Sequence, residues 1–246
     1  MDANTIKQLV ILNRLFYQSF AQQFSETRQR LQPGVMRILE DLALELNLLD
    51  LGCGNGELAC ELLRGGFEGR YVGIDSSKEL LDIAAQTIER CGSSGSSLHV
   101  EFIQSDLTSA RWNDMLHGMS FSTIFAFAVL HHLPGDKARS GVLKEARSLL
   151  SAGGRFFHSE WQFLNSPRLR QRIIPWESIG VDTDEVDPGD YLLDWRRGGS
   201  GLRYVHHFDE LELAELAEEN WFKIVDTFSS DGMGGNLALY QVWEAV

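Results

Sequence analysis

The chain has 246 residues, and its 22 Lys and Arg against 35 Asp and Glu give a formal net charge of −13. Hydrophobic residues make up 43% and charged residues 23%, which is typical of a globular protein and excludes a disordered or fibrous one. The acidic balance also excludes a protein that holds nucleic acid by bulk positive charge.

No apolar run reaches the roughly 20 residues that a membrane-spanning helix needs, and the N-terminal residues lack the pattern of a secretion signal. The three cysteines include no C-x-x-C pair, which is typical of a reducing compartment. We therefore expect a cytoplasmic protein without a membrane segment.

Strand-like and helix-like segments alternate along the first two thirds of the chain. The pattern predicts strands at 47–51, 71–75, 98–104, 122–130 and 155–161. It predicts helices from Glu57, over 78–90 and over 137–150 with Gly153-Gly154 as the stop, and a loop at 91–97. Regular alternation of this kind indicates an α/β fold with a mostly parallel sheet and helices on both faces.

The last third of the chain departs from that alternation. Residues 162–203 contain prolines, several arginines and little periodicity, which indicates an insertion near the ligand face. A helix is predicted over 208–220 with Asp209 as its N-cap. The strands predicted at 221–229 and 236–245 have no helix between them, so they must pair antiparallel. We expect one domain over 1–246.

The strongest chemical signal is LLDLGCGNG, which ends the first predicted strand and holds Asp50, Gly52, Gly54 and Gly56. Glycine lets the backbone turn sharply and approach a ligand closely. In an open parallel sheet, ligands bind beyond the carboxyl ends of the strands. The sequence therefore predicts a ligand site at this loop.

Acids near the loop distinguish between two cofactor classes. Dinucleotide enzymes use G-x-G-x-x-G with a pyrophosphate at the helix N-terminus, whereas this loop reads G-x-G-x-G between Asp50 and Glu57. These acids would repel a pyrophosphate but suit a sulfonium and an ammonium group. Asp75, after the second strand, can accept hydrogen bonds from ribose hydroxyls, and Asp106, after the third, can accept one from the amine of adenine. S-adenosylmethionine is favoured over NAD.

With these motifs the chain resembles the class I S-adenosylmethionine-dependent methyltransferases over about 47–160 and in the closing hairpin. LLDLGCGNG, YVGIDSS and FAFAVLHHLP match the family's motifs after its first, second and fourth strands. The resemblance implies a Rossmann-like seven-stranded sheet whose last strand is antiparallel, and S-adenosylhomocysteine as the product. It implies that the loop glycines line the methionine moiety, Asp75 holds the ribose, and Asp106 and Leu107 flank adenine.

The segment 1–46 is expected to form helices that cover the cofactor. The candidate cofactor contacts are Tyr17, Arg28, Asp50, Gly52, Gly54, Asn55, Gly56, Asp75, Ser76, Asp106, Leu107 and Ala128. No His, Cys or Asp cluster has the spacing of a metal site, so no metal is expected.

Short motifs outside this core resemble a narrower family, the tRNA methyltransferases that esterify 5-carboxymethyluridine at the wobble position. The motifs are Phe24-Ser25-Glu26-Thr27-Arg28, His131-His132, Pro175-Trp176 and Arg203-Tyr204-Val205-His206. The resemblance implies a tRNA anticodon loop as the partner, and a small activating protein accompanies some members of the family.

The candidate catalytic residues are His132, Arg28, Arg203, Tyr204 and His206. A carboxylate acceptor needs no general base, but it does need cationic groups to orient it. Arg28 and Arg203 suit that task because guanidinium binds carboxylate or phosphate in a fork. His132 could contact the acceptor.

Each of these assignments has an alternative. Tyr204, Trp176 and Trp195 could stack on a splayed base, or they could simply pack the insertion. The arginines could pair with surface acids. At the level of function, the alternatives are a methyltransferase acting on a carboxyl, hydroxyl or amine of a small anionic substrate, and a cofactor-binding subunit with little activity of its own.

Overall fold

The protein is described by a computed structural model that covers residues 1–92 and 97–246. Most of the loop predicted at 91–97 lies outside these described residues. Among them, no helix has both the length and the apolar composition that crossing a membrane requires.

Helices and strands alternate along the chain much as the pattern predicts. The helices are α1 (Ala3–Glu26), α2 (Pro33–Glu40), α3 (Glu57–Arg64), α4 (Lys78–Cys91), α5 (Asp136–Leu149), α6 (Pro167–Arg170) and α7 (Glu210–Glu219). The strands are β1 (Glu45–Leu51), β2 (Glu68–Asp75), β3 (Leu98–Gln104), β4 (Phe121–Phe127), β5 (Leu150–Trp161), β6 (Ile173–Ile174), β7 (Asp190–Trp195), β8 (Gly201–His206), β9 (Phe222–Ser230) and β10 (Ala238–Ala245).

Across the described residues, seven strands form one sheet in the order β3-β2-β1-β4-β5-β10-β9, which we call the main sheet. Strands β1 to β5 pair in parallel, and β10 runs antiparallel to both β5 and β9. The predicted fold, a mostly parallel Rossmann-like sheet with an antiparallel last strand, is confirmed. Two hydrophobic clusters pack helices against its opposite faces, which explains the continuous apolar sequence of its central strands.

Local geometry ends two elements earlier than the sequence predicts. Strand β4 ends at Phe127 instead of residue 130, because Ala128 has a φ of 57° and turns the chain away from the sheet. Helix α5 ends at Leu149, and β5 begins at once. The pair Gly153-Gly154 therefore lies inside β5, near a register shift against β4, and does not stop the helix.

Between β5 and α7, the described chain contains a second, antiparallel sheet in the order β6-β7-β8, which we call the insertion sheet. The sequence predicts little regular structure over 162–203 and an end at 203, but β8 continues to His206. The pattern was obscured because two charged residues of these short strands, Asp190 and Arg203, are buried. The predicted N-cap of α7 is confirmed, since Asp209 accepts a hydrogen bond from the backbone N–H of Glu212 at 2.8 Å.

The cysteines differ from expectation. Cys60 in α3 and Cys91 at the end of α4 form a disulfide with their Cα atoms 5.8 Å apart, and Cys53 is free and buried. The cysteine count is therefore no longer an argument for a reducing compartment.

Candidate active site

A cavity of about 420 Å³ lies at the carboxyl ends of the main-sheet strands. Its floor is formed by the residues that follow β1, β2, β3 and β4, and by the loop between β9 and β10. Helix α1 and the segment between α1 and α2 lie over the cavity, and we call them the cover. Arg203 of the insertion sheet closes one side. The site forms here because the carboxyl ends of parallel strands meet at one edge of the sheet.

The glycine loop has a left-handed backbone, with a φ of 70° at Gly52, 55° at Gly54 and 75° at Gly56. Gly52 and Gly54 line the cavity. A Cβ on Gly52 would lie 2.7 Å from Val129 Cγ2, whereas the space beside Gly54 is open for a ligand. Gly56, predicted as a contact, is outside the lining. A Cβ there would lie 2.9 Å from Ala84 Cβ, so this glycine permits α3 to pack against α4.

Two carboxylates lie beside the loop, the buried Asp50 and the half-buried Asp75. Burial raises the pKa of Asp50 to about 7; a hydrogen bond from the Tyr71 hydroxyl opposes this shift, and the charge of Asp75 adds to it. Burial also raises the pKa of Asp75, although its oxygens accept hydrogen bonds from the backbone N–H groups of Gly54 at 3.0 Å and Ser77 at 2.9 Å. A cationic ligand would restore the charged form of both groups.

The other predicted cofactor residues also lie at the cavity, with one reassignment. Ser76, Asp106, Leu107 and Ala128 line it. Asp106 Oδ1 accepts hydrogen bonds from the backbone N–H and hydroxyl of Thr108 at 2.9 and 2.6 Å, which fixes its turn. Asn55 uses its amide to hold the cover, because Nδ2 donates to Ser25 Oγ at 3.0 Å and to the carbonyl of Arg28 at 3.4 Å.

The strained backbone of Ala128 is held by Ser159 of β5. The N–H of Ala128 donates to the carbonyl and to the hydroxyl of Ser159, at 3.0 and 3.1 Å. Since an alanine with positive φ is disfavoured, such a residue persists only where its surroundings fix it, and such positions cluster at functional sites. Ser159 lines the cavity as well.

The arginine side chains that line the cavity belong to the cover and to the insertion sheet. Four arginines line the cavity and form what we call the arginine side: Arg14, Arg28, Arg30 and Arg203. Five carboxylates form the acidic side: Asp50, Glu57, Asp75, Asp106 and Asp231. The carboxylates belong to the ends and connections of the main-sheet strands, whereas the arginines belong to α1, its following segment and β8.

Arg203 is the most enclosed of these arginines, with 8% of its surface exposed. Its guanidinium carbon lies 4.7 Å from the ring centre of Trp161, 5.5 Å from that of Phe16 and 5.7 Å from that of Trp195. Within residues 1–92 and 97–246, Arg203 Nε has no hydrogen-bond partner and no carboxylate forms an ion pair with this arginine. Burial accordingly lowers its pKa, and the nearby Arg28 lowers it further.

His132 faces the same part of the cavity. Its Nδ1 lies 3.2 Å from the carbonyl oxygen of Tyr204, and its Nε2 lies 2.8 Å from the hydroxyl of Tyr17. A carbonyl can only accept, so Nδ1 carries the proton and Nε2 accepts from the phenol. Burial lowers the pKa of His132 well below its ordinary range, and the positive charge of Arg203 and Arg28 lowers it further. The ring is therefore neutral.

Two predicted catalytic residues lie outside the cavity lining. Tyr204 and His206 belong to a buried network in which Tyr204 donates to Asp190 at 2.6 Å and accepts from Arg139 at 2.9 Å. His206 contacts Asp190 at 2.7 Å and Glu212 at 2.8 Å. The reason is the alternation of side chains along β8, which turns Arg203 to one face and Tyr204 and His206 to the other.

The two tryptophans proposed as base platforms are also packed away from the cavity. Trp176 is 7% exposed within a hydrophobic cluster, and Trp195 is 9% exposed beside Phe16. Trp161, which the sequence did not single out, does line the cavity.

Two buried polar residues that hold the cover in place were not predicted. Asn13 of α1 donates to the carbonyls of His132 and Tyr204, both at 3.1 Å, and accepts from the N–H of Tyr204 at 2.8 Å. Asp231 accepts from the N–H of Gly34 at the start of α2, at 3.0 Å. Neither residue stands in a motif, and their contact partners are distant in sequence, so the sequence contains no local signal for them.

The comparisons with known proteins agree with this geometry. Residues 48–154 match a family described as a methyltransferase domain. A protein of Encephalitozoon cuniculi that bears the name of a methyltransferase without a stated substrate is 28% identical over 212 residues, 86% of this chain and 87% of that protein. The tRNA (carboxymethyluridine(34)-5-O)-methyltransferase of Schizosaccharomyces pombe is 26% identical over 219 residues, 82% of this chain and 84% of that protein. Among solved structures, a SAM-dependent methyltransferase of Methanosarcina mazei shares the fold with a TM-score of 0.65 at 22% identity, over 88% of this chain and 98% of that one.

Proposed function

This chain carries an S-adenosylmethionine-dependent methyltransferase domain, and on that premise we propose that it methylates a carboxylate, namely the 5-carboxymethyl group of a tRNA wobble uridine. The product is a methyl ester. We propose the cytoplasm as the compartment because of the tRNA acceptor and in spite of the disulfide between Cys60 and Cys91, which is unusual there.

The acidic side of the cavity fits the cofactor. S-adenosylmethionine supplies a methyl group already activated on a positive sulfonium, and it also bears an ammonium group. Asp50 and Asp75 are carboxylates whose burial is unfavourable until a cation arrives, and the open space beside Gly54 admits a ligand against the backbone. We assign Asp50 to the ammonium end, Asp75 to the ribose, and Asp106 with Leu107 to the adenine.

The acceptor proposal depends on one observation, which is that Arg203 is buried at the cavity without an ion-pair partner among the described residues. A buried guanidinium without an ion-pair partner is costly, and an anionic ligand would offset that cost. Its aromatic surroundings fix the guanidinium in a water-poor position where attraction to a carboxylate is strong. Arg28, whose guanidinium carbon lies 5.2 Å from the ring centre of Phe24, supplies a second cation at the same cavity.

The chemistry of the site requires this chain to position groups and to exclude water. A carboxylate attacks with its own electron pair, so it has no proton for the enzyme to remove. Arg203 and Arg28 orient the carboxylate, and the cover formed by α1 and its following segment keeps water out. The S. pombe relative, whose name specifies the carboxymethyluridine reaction, is similar to this chain over most of both lengths.

The test is transfer of a labelled methyl group from the cofactor to bulk tRNA, followed by digestion to nucleosides. We expect label in an alkali-labile ester of a uridine derivative, because methyl esters are saponified whereas N-methyl and ether products are not. Label in a small carboxylic acid, or in an alkali-stable product, would refute the tRNA ester. Cofactor binding without transfer to any acceptor would favour a subunit with little activity.

Arg203→Met tests the acceptor assignment, and Arg155→Met is its matched control. Arg155, in the middle of β5, is exposed, is paired with Glu244 at 2.8 Å and lies outside the cavity lining. We expect Arg203→Met to lower transfer at least 100-fold while cofactor affinity changes less than threefold, since removal of a charged hydrogen-bonding partner costs about 2–5 kcal/mol. Equal activity of the two variants would remove Arg203 from the acceptor site.

A further inference from the structure

The inference concerns His132, and it rests on the proposed carboxylate acceptor. Histidine is the usual general base of enzymes, and His132 lines the cavity beside the acceptor arginines. Its surroundings, however, are those of a residue that holds another group in place.

The hydrogen bonds of His132 occupy both ring nitrogens. Nδ1–H is directed to the main-chain carbonyl of Tyr204, and Nε2 faces the hydroxyl of Tyr17. A histidine that works as a base usually has a carboxylate behind it, which stabilises the imidazolium. A main-chain carbonyl carries no full charge and gives much less of this stabilisation.

The charges that face His132 come from every element around it. His131 belongs to the same turn, Arg28 to the cover and Arg203 to β8, and all three oppose a positive charge on the ring. The remaining neighbours, Tyr17 and Tyr204, are neutral phenols because burial raises the pKa of each. Glu160 of β5, a buried carboxylate beside this turn, is bonded to His131 instead, at 2.8 Å.

Tyr17 connects His132 to Arg203. Its hydroxyl hydrogen is committed to His132 Nε2, so its oxygen lone pairs remain for the guanidinium beside it. Burial raises the pKa of the Tyr17 phenol, and the charge and the hydrogen bond of the neighbouring Arg203 oppose that rise. The order of contacts is Tyr204 carbonyl, His132, Tyr17 and Arg203.

We propose that His132 is a positioning residue: its neutral ring fixes the Tyr17 hydroxyl, which in turn orients the Arg203 guanidinium toward the anionic group of the acceptor. His132 takes no proton during transfer. The site is thereby selective for acceptors that arrive already deprotonated.

The first experiment measures the protonation state of His132 in the protein without any acceptor. Ring ¹⁵N spectra of histidine-labelled protein, assigned by comparison with His132→Gln, should show a neutral Nδ1–H tautomer for His132 from pH 8 to pH 6. In Tyr17→Phe the Nδ1–H tautomer should persist, because the Tyr204 carbonyl still accepts from it, while the Nε2 shift should change because Nε2 loses its donor. A ring that becomes protonated near pH 6.5, or an Nε2–H tautomer, would overturn the proposal. Because no tRNA is present, this result is independent of the proposed function.

The second experiment compares variants in the tRNA assay. His132→Gln keeps an acceptor oxygen for Tyr17, whereas His132→Leu removes it. We expect Gln to retain activity within about tenfold, and Leu to raise the KM for tRNA by at least tenfold more than Gln does. Tyr17→Phe should match His132→Leu, and the double variant should be no worse than either single one. Urea unfolding of each variant, with a midpoint close to that of wild type, shows that the variants are folded.

The size of the loss on substitution separates positioning from base catalysis. The exposed His117, changed to Gln, serves as the control. If His132 is a base, the Gln and the Leu variants both lose roughly 10²–10⁴-fold in kcat, because neither side chain can take a proton. That outcome overturns the proposal.

Discussion

Replacing Asp50 by asparagine is expected to stabilise the ligand-free protein and to weaken its binding of S-adenosylmethionine. Burial raises the pKa of Asp50 from its ordinary 3.8 to about 7. A carboxyl whose pKa is higher in the folded state destabilises that state as pH rises from about 4 through 7. The shift of about three units corresponds to about 4 kcal/mol at pH 8, at about 1.4 kcal/mol per unit, and to about 2 kcal/mol at pH 5. Asparagine removes this penalty and can still accept the Tyr71 hydrogen bond.

The assay is urea denaturation of wild type and Asp50→Asn at pH 5 and pH 8, without and with the cofactor. Without it, the variant should be more stable, and its advantage should grow by about 2–3 kcal/mol between the two pH values. With saturating cofactor the advantage should shrink or reverse. Cofactor affinity of wild type should rise about tenfold from pH 6 to pH 8 as Asp50 ionises, and that of the variant should not. A variant less stable than wild type by the same amount at both pH values would refute the reasoning.

Two further predictions concern other positions. Gly52 and Gly66 both have a left-handed backbone, with φ of 70° and 73°, but of the two only Gly52 has a neighbour where an alanine Cβ would lie. Gly66→Ala should lower the free energy of unfolding in urea by about 1–2 kcal/mol, whereas Gly52→Ala should lower it more and weaken cofactor binding in calorimetry. Equal losses of stability would contradict the packing argument. Burial lowers the pKa of His206, but the hydrogen bonds that its ring donates to the carboxylates of Asp190 and Glu212 outweigh burial and raise it. Its stabilising contribution is therefore complete below about pH 6.5 and is lost as pH rises through the folded-state value. The Tm of wild type should therefore fall more between pH 6 and pH 9 than that of His206→Gln, and parallel curves would show that His206 contributes no such linkage.

The motifs along the main sheet could be interpreted from sequence because each depends on residues close in the chain. Gly52 and Gly54 follow one strand and Asp75 ends the next, so sheet topology alone brings them to one edge. Gly56 shows the limit of this reasoning. It belongs to the same motif, but its lack of a side chain is required by Ala84 of a neighbouring helix, which sequence spacing does not reveal.

The motif Arg203-Tyr204-Val205-His206 shows a second limit. The sequence identified a charged, aromatic segment near the ligand, but the alternation along β8 separates its residues. Arg203 faces the cavity, and Tyr204 and His206 join the buried network with Arg139.

The sequence by itself determined the α/β fold, the cofactor loop and the acids that follow the strands, since strand order and turn chemistry are local properties read along the chain. Only the tertiary structure decided which polar groups remain without partners. In the described part of the chain, Arg203 forms no ion pair with a carboxylate, and the ring nitrogens of His132 face a carbonyl and a phenol instead of an acid. Burial and pairing arise from contacts between residues far apart in sequence, and these contacts set the chemistry of the site.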